Sequence, residues 1–230
     1  MEPLILRLDH VSRHFGDRRI LEDFSLEISP GSVTCLFGPS GCGKTTILNL
    51  LAGLIPPTSG SVTGYQNLRI SYIFQEVRIL PWKTVLANVM FPLTGLMPQK
   101  EALELARQFI RMVGLEGEEN RYPNHLSGGM RQRVSIARAF AYPSSAILMD
   151  EAFQNLDRKL KFSILESFRE IWSRDGRTVV FVAHDEEEAI ALGGEVVFLG
   201  HQPLEIIRRV PVAEVAESSW RAMVREIYGQ

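Results

Sequence analysis

The sequence predicts an α/β fold: a mainly parallel sheet covered on both faces, with a helical segment let into it. Three observations carry that reading. Short apolar runs alternate with helix-patterned stretches along most of the chain, as parallel strands joined by crossover helices require. One such run, Val33 to Phe37, leads straight into a glycine-rich loop and a following helix. From Thr84 to about Ala141 the pattern is mainly helical, so a helical insertion interrupts the alternation.

The elements follow in order. Leu4, Leu6 and Leu8 alternate with other residues, as do Phe24, Leu26 and Ile28. Period two marks strands with one buried face. Pro30-Gly31 is a turn. A helix is expected from about Gly43 to Ala52, ended by Gly53 and barred from continuing by Pro56-Pro57. Ile70 to Phe74 reads as a strand. In the insertion, Ala102, Ala106, Phe109, Ile110 and Val113 share one helical face, and a second helix spans about Ser127 to Tyr142. Ala146 to Met149 is a strand, and Leu156, Leu160, Ile164, Phe168 and Trp172 line the next helix. Val179 to Val182 and Val196 to Leu199 are strands around a helix begun by Glu186-Glu187-Glu188. Those acids suit the positive helix end and are given no second role. The last twenty residues are expected to be helical and amphipathic.

Gly38-Pro39-Ser40-Gly41-Cys42-Gly43-Lys44-Thr45 fits G-x-x-x-x-G-K-[ST] without a mismatch. Glycines let such a loop turn its N–H groups inward onto phosphate oxygens, with the helix N-terminus behind them. Lys44 reaches the outer phosphates, and the Thr45 hydroxyl is placed to ligate Mg²⁺. Thr46 follows in the same turn. Asp150 ends an apolar strand. A carboxylate there suits a Mg²⁺ ligand, and Glu151 beside it suits a general base aimed at water. The bland alternative is a capping pair for the next helix.

Leu126-Ser127-Gly128-Gly129-Met130-Arg131-Gln132-Arg133 comes far downstream of the first loop. With the other motifs it resembles the signature sequence of the ATP-binding cassette (ABC) transporter nucleotide-binding subunits. The resemblance covers essentially the whole chain. It implies a P-loop NTPase core of residues 1–75 and 146–230, including an N-terminal antiparallel β subdomain. It also implies a helical signature subdomain of about 76–145, all within one ABC ATPase domain, 1–230. Ser127, Gly128 and Gly129 would then contact the γ-phosphate of ATP. Phe15 matches the aromatic position that stacks on adenine, its rival being a core phenylalanine. Gln75 matches the glutamine that touches Mg²⁺ and the attacking water. His184 matches the switch histidine, and Asp157 the aspartate of the loop joining two subunits.

In that family the signature of one subunit closes on the P-loop of the other. The resemblance therefore implies a dimer with a second copy or a similar chain, membrane permease partners and a solute-binding protein. Gln75-Glu76-Val77-Arg78-Ile79-Leu80-Pro81-Trp82 is similar to the nitrate/sulfonate/taurine importer group, although Pro81-Trp82 is equally a packed turn. Ala152, Gln154-Asn155 and Ala183 depart from the family pattern. The expectation is an active ATPase with altered pairing or coupling at the 154–155 loop.

Other classes are excluded on composition and motif. The net charge of -2 gives no basic excess for nucleic acid. Two cysteines, Cys35 and Cys42, make no disulfide framework. No apolar run approaches the roughly 18–20 residues of a membrane span. The start, Met1 to Arg7, does not read as a signal peptide. A peripheral place on the cytoplasmic face of the membrane is expected. No Asn-Lys-x-Asp guanine reader occurs, and a small-molecule kinase leaves Ser127 to Met130 unexplained. A soluble ABC ATPase uncoupled from transport stays as the alternative.

Overall fold

The computed structural model describes residues 5–154, 156–183, 185–201 and 203–229. Two sheets lie back to back. The smaller is antiparallel, in the order β2-β1-β4, from β1 (Leu6–Phe15), β2 (Arg18–Ile28) and β4 (Ser59–Thr63). Leu6 and Leu8 of β1, and Phe24, Leu26 and Ile28 of β2, point inward as their alternation predicts, and a register shift after Leu8 turns Val11 inward as well. β1 runs well past Leu8, the last residue expected in it. The polar half is carried by pairing with β2, out to Phe15 opposite Arg18. β4 is an addition to the predicted strands. Its Gly60 has φ 82°, and a Cβ there would lie 2.2 Å from the His10 carbonyl oxygen, so only glycine fits against β1.

The larger sheet has the order β5-β6-β7-β3-β8-β9. Its strands are β3 (Val33–Phe37), β5 (Ile70–Ile73), β6 (Ala146–Asp150), β7 (Thr178–Val182), β8 (Glu195–Leu199) and β9 (Ile206–Pro211). Neighbouring strands are parallel from β5 to β8, and β9 closes the edge antiparallel to β8. Successive side chains go to opposite faces. Leu36, Leu148, Val180 and Val197 join the core shared with the small sheet and α1 (Lys44–Leu51). Cys35, Ile147, Val179, Phe181 and Phe198 face the other core.

That second core is covered by helices. α2 (Val85–Met90), α3 (Gln99–Met112) and α4 (Gly128–Ala141) pack on one another between β5 and β6. α5 (Arg158–Asp175) and α6 (Glu186–Leu192) follow β6 and β7. The chain's last helix, α7 (Trp220–Tyr228), spans nine residues. It is shorter than the twenty-residue amphipathic tail expected, because β9 extends to Pro211 and only short 3₁₀ turns precede Trp220.

In this topology the carboxyl ends of β3, β5, β6 and β7 lie side by side. Each carries a candidate site segment: Gly38 onward, Gln75, Asp150-Glu151, and Ala183 onward. An open α/β sheet binds its ligands beyond those ends.

Candidate active site

The segments border one open cleft of roughly 1380 Å³. Gly38 to Gly41, and Gly43 to Thr46, form its floor. The loop needs its glycines for space as well as rotation. A Cβ on Gly38 would meet the Leu199 carbonyl at 2.8 Å, and Gly43 has φ 125° at the N-cap of α1. No side chain caps α1. Its first N–H groups are therefore left for an anion. Lys44 is folded over the loop: its Nζ donates to the carbonyls of Gly38 at 2.7 Å and Pro39 at 2.8 Å. Cys42 turns inward and is buried, its thiol pushed up by that burial. It offers the cleft no side chain.

Asp150 is almost fully buried at the end of β6. Burial raises its carboxyl above the ordinary aspartate value, while a hydrogen bond from Thr45 opposes the rise. Glu151 takes φ 47°, a left-handed conformation rare for a residue with a side chain. Its Oε2 accepts from Gln75 Nε2 at 3.1 Å, joining the segments that leave the paired strands β5 and β6. Both residues line the cleft. They are thus brought together over the loop rather than spent on capping, since the N-cap of α5 is Asp157, which accepts from the Leu160 N–H at 3.0 Å.

Phe15 lies at the cleft's far wall, 48% exposed, with the Arg13 guanidinium 4.5 Å from its ring centre. It is no core phenylalanine. His184 and Asn155 lie outside the described residues. Ala183 and Asp185, on either side of His184, line the cleft, as does Gln154.

Ser127, Gly128 and Gly129 are elsewhere. Ser127 caps its own helix, its hydroxyl accepting from the Met130 N–H at 3.2 Å. Ser127 and Gly128 are exposed, and none of the three borders the cleft. The turn at Pro81-Trp82 is organised from beneath. Fully buried Asn88 accepts from the Leu80 N–H at 2.7 Å and donates to the Lys83 carbonyl at 2.9 Å. Trp82 itself is left 71% exposed.

Three further residues were not singled out from sequence. Buried Gln132 on α4 donates to the Ala152 carbonyl at 2.8 Å, tying the signature helix to the chain beside Glu151. Lys161 on α5 bonds Asp185 at 2.8 Å and Glu188 at 3.0 Å. Burial depresses the Lys161 ammonium, and these two carboxylates more than offset it, leaving it above the ordinary lysine value. Tyr228 on α7 also lines the cleft. The Lys161 contacts correct one expectation. Glu188 is a buried ion-pair partner and Glu187 pairs with Arg158 at 2.9 Å, so these acids do more than favour a helix start.

A parallel sheet with a phosphate-type loop after its central strand β3, and a buried aspartate and a paired glutamate at the end of β6, two strands away, defines a P-loop nucleotide-binding protein. The ABC transporter family model matches residues 21–154. The taurine import ATP-binding protein TauB of Escherichia coli O6:H1 is 39% identical over 215 residues, covering 90% of this chain and 84% of that one. The ABC transporter ATP-binding protein MJ0412 of Methanocaldococcus jannaschii is 40% identical over 210 residues, 86% of this chain and 78% of that one. Among solved structures, the dimeric ABC transporter cassette MJ0796 superposes with TM-score 0.81 at 31% identity, over 90% of this chain and 98% of its own. The same cassette in a dimeric post-hydrolysis state with ADP and Pi gives TM-score 0.76 at 32% identity, over 88% and 99%. This chain belongs to the ABC transporter family, as an ATP-binding, ATP-hydrolysing subunit.

Proposed function

We propose that the chain energises an importer for a small anionic or nitrogen- or sulfur-containing solute of the nitrate, sulfonate or taurine type, hydrolysing ATP at sites shared between two copies. Similarity to the taurine import proteins supports the solute class. The observation that carries the shared site is the separation of the two glycine loops. Lys44 and Thr45 border the cleft, while Ser127, Gly128 and Gly129 do not, and Ser127 and Gly128 stay exposed. Those three are free to close on the nucleotide of another chain. The dimeric state of the MJ0796 cassette agrees with this arrangement.

In this reading the loop amides, Lys44, Thr45 and Thr46 hold the phosphates, and Phe15 stacks on adenine with Arg13 behind it. Glu151 is the general base, held by Gln75, and His184 senses the γ-phosphate. Among the described residues no three His, Cys, Asp or Glu side chains could hold a metal by themselves. The Thr45 hydroxyl, the Asp150 carboxylate and the Gln75 amide are hard oxygen donors beside the phosphate floor. They fit Mg²⁺, which completes its shell with phosphate oxygens and water. When bound, that ion neutralises charge on the transferring phosphoryl group.

Residues 76–145 would move as a signature unit against the core of 1–75 and 146–230. Closure with ATP and reopening after hydrolysis would be relayed to permease subunits, with a solute-binding protein delivering the cargo. Among the described residues no helix is long and apolar enough to cross a membrane. Similarity to the import ATP-binding proteins supports a place on the cytoplasmic face, held there by the permease partners.

Mixing two inactive variants tests the shared site. Lys44→Ala spoils a P-loop, and Ser127→Arg spoils a signature. In a mixed dimer both lesions fall in one site if loops pair between chains, leaving the other site whole. The mixture should regain ATPase activity that neither variant shows alone. A mixture as inactive as its components, with dimers demonstrably formed, would overturn the arrangement.

A further inference from the structure

The C-terminal helix α7 has no part in the family motifs, yet it is built into the wall of the nucleotide cleft. Arg221, Val224 and Tyr228 recur at helical spacing on one face, and all three border the cleft. The helix is anchored beside them. Trp220 is 1% exposed and its ring stacks on Phe198 at 6.2 Å. Tyr228 packs against Phe198 at 6.3 Å and Phe37 at 6.4 Å, and these two phenylalanines meet edge to face at 5.7 Å. Phe37 is the last residue before the phosphate loop.

The Tyr228 hydroxyl lies 3.1 Å from the Phe37 carbonyl and 3.1 Å from the Leu199 carbonyl. Those carbonyls end β3 and β8, where the ladder between the two strands stops at Phe37 and Phe198. A shared O–H donor therefore bridges two strand ends that the sheet no longer joins. The Phe37 carbonyl belongs to the peptide unit that leads into Gly38. Gly38 in turn is pressed on the Leu199 carbonyl, with no room for a Cβ, and its own carbonyl receives Lys44. One hydroxyl thus fixes both surfaces between which the loop begins. Burial pushes the Tyr228 hydroxyl up to about 12, so it remains a donor across the physiological range.

We propose that Tyr228 is a positioning residue for ATP binding: from the C-terminal helix it fixes the start of the phosphate loop, and so sets the affinity of the cleft for nucleotide phosphates. The inference rests on nucleotide occupying this cleft. It assigns no chemical step to Tyr228, which acts through the Phe37–Gly38 peptide.

The test is Tyr228→Phe in the full chain, which deletes the hydroxyl and keeps the ring. Titration with a fluorescent ATP analogue should show affinity about five-fold weaker, the scale of one lost neutral hydrogen bond. KM for ATP should rise by the same factor, with kcat at saturating ATP within about two-fold. Amides of Gly41 to Lys44 should exchange faster with solvent, while those of α3, remote from the cleft, should be unchanged. A variant with wild-type ATP affinity and wild-type loop exchange overturns the proposal. So does one whose melting temperature falls while affinity holds, because that marks a purely structural contact. Tyr228→Leu, which loses ring and hydroxyl, should weaken binding at least as much as Tyr228→Phe, and a Tyr228→Leu variant that binds ATP as tightly as wild type overturns the proposal. If the wild-type chain binds no ATP, the reading of the cleft fails rather than the role of Tyr228.

Discussion

The two glycine loops are built on opposite principles. Gly38 to Gly43 is held by its own surroundings: Lys44 spans two of its carbonyls, Thr45 bonds Asp150, and Gln75 and Glu151 meet above it. Ser127 to Gly129 opens α4, the Ser127 hydroxyl taking the Met130 N–H and its carbonyl the Arg131 N–H, and Ser127 and Gly128 face solvent. Both are helix N-termini, and both can offer N–H groups to an anion. One has the candidate catalytic side chains Gln75 and Glu151 beside it and the other lies away from them. The chain therefore supplies two unlike halves, and under the proposed reading neither half is a site alone.

The sharpest way to break this contrast is at Glu151. Glu151→Gln should retain ATP binding, lose at least ~100-fold in turnover and accumulate as a closed dimer on size-exclusion chromatography with ATP. Retained turnover would show that the first loop's half does not contain the base. The strained backbone at Glu151 belongs to the loop geometry, so the amide variant should keep it and remain folded.

Gln132 joins the halves within one chain, since its amide reaches from the signature helix to the Ala152 carbonyl. Gln132→Leu keeps the bulk and leaves that buried carbonyl unpaired, at a cost of roughly 1–3 kcal/mol. Chemical denaturation measures the loss. If the bond also relays motion between the loops, ATP-driven dimerisation should weaken beyond what the lost stability explains. An unchanged midpoint would mean that water or a shifted side chain satisfies Ala152.

Much of this organisation is legible in the sequence, for a physical reason. β3, β6 and β7 are buried on both faces and so read as continuous apolar runs, and the candidate motifs sit at their ends. β4 and β9 escaped because edge strands need little apolar content. Ser59 to Thr63 is mostly exposed, and β9 carries Arg208, Arg209 and Pro211. Lys161 with Glu188 joins side chains 27 positions apart, and no local pattern announces that pair. Gln132 and Tyr228 act on backbone carbonyls, which every residue possesses. Their partners leave no trace in side-chain identity. Phe15 was ambiguous for a related reason: whether an aromatic residue at a turn is core or ligand platform is decided by what packs over it.

Asp150 sharpens the first loop's side of the contrast. Its folded-state pKa is raised, chiefly by burial. The folded protein therefore holds the proton more tightly than the unfolded chain. The stability this group contributes is present at low pH and is lost as pH rises from its ordinary 3.8 through the raised folded value. At neutral pH the ionised carboxylate is a net cost. Asp150→Asn should raise the melting temperature of the nucleotide-free protein, by roughly 2–4 °C for each kcal/mol relieved. The gap over wild type should widen from pH 4 to pH 7. The same variant should lose Mg²⁺-dependent turnover. A gap that narrows with pH would contradict the sign derived from burial.

The smallest effect expected is at the loop between the halves. Gln154 borders the cleft, Ala152 is buried with its carbonyl taken by Gln132, and Asp157 is committed to capping α5. The family's usual Ser-Ala at 154–155 is smaller than the Gln-Asn present. We propose that the larger pair changes how two copies meet here while the chemistry at Glu151 is kept. The double variant Gln154→Ser, Asn155→Ala should shift the ATP dependence of dimerisation a few-fold and leave turnover per closed dimer near wild type. Light scattering against ATP concentration reads the first quantity, and a single-turnover assay reads the second. No change in either would make the 154–155 departure neutral. A change in single-turnover rate alone would place Gln154 with the catalytic half rather than at the seam.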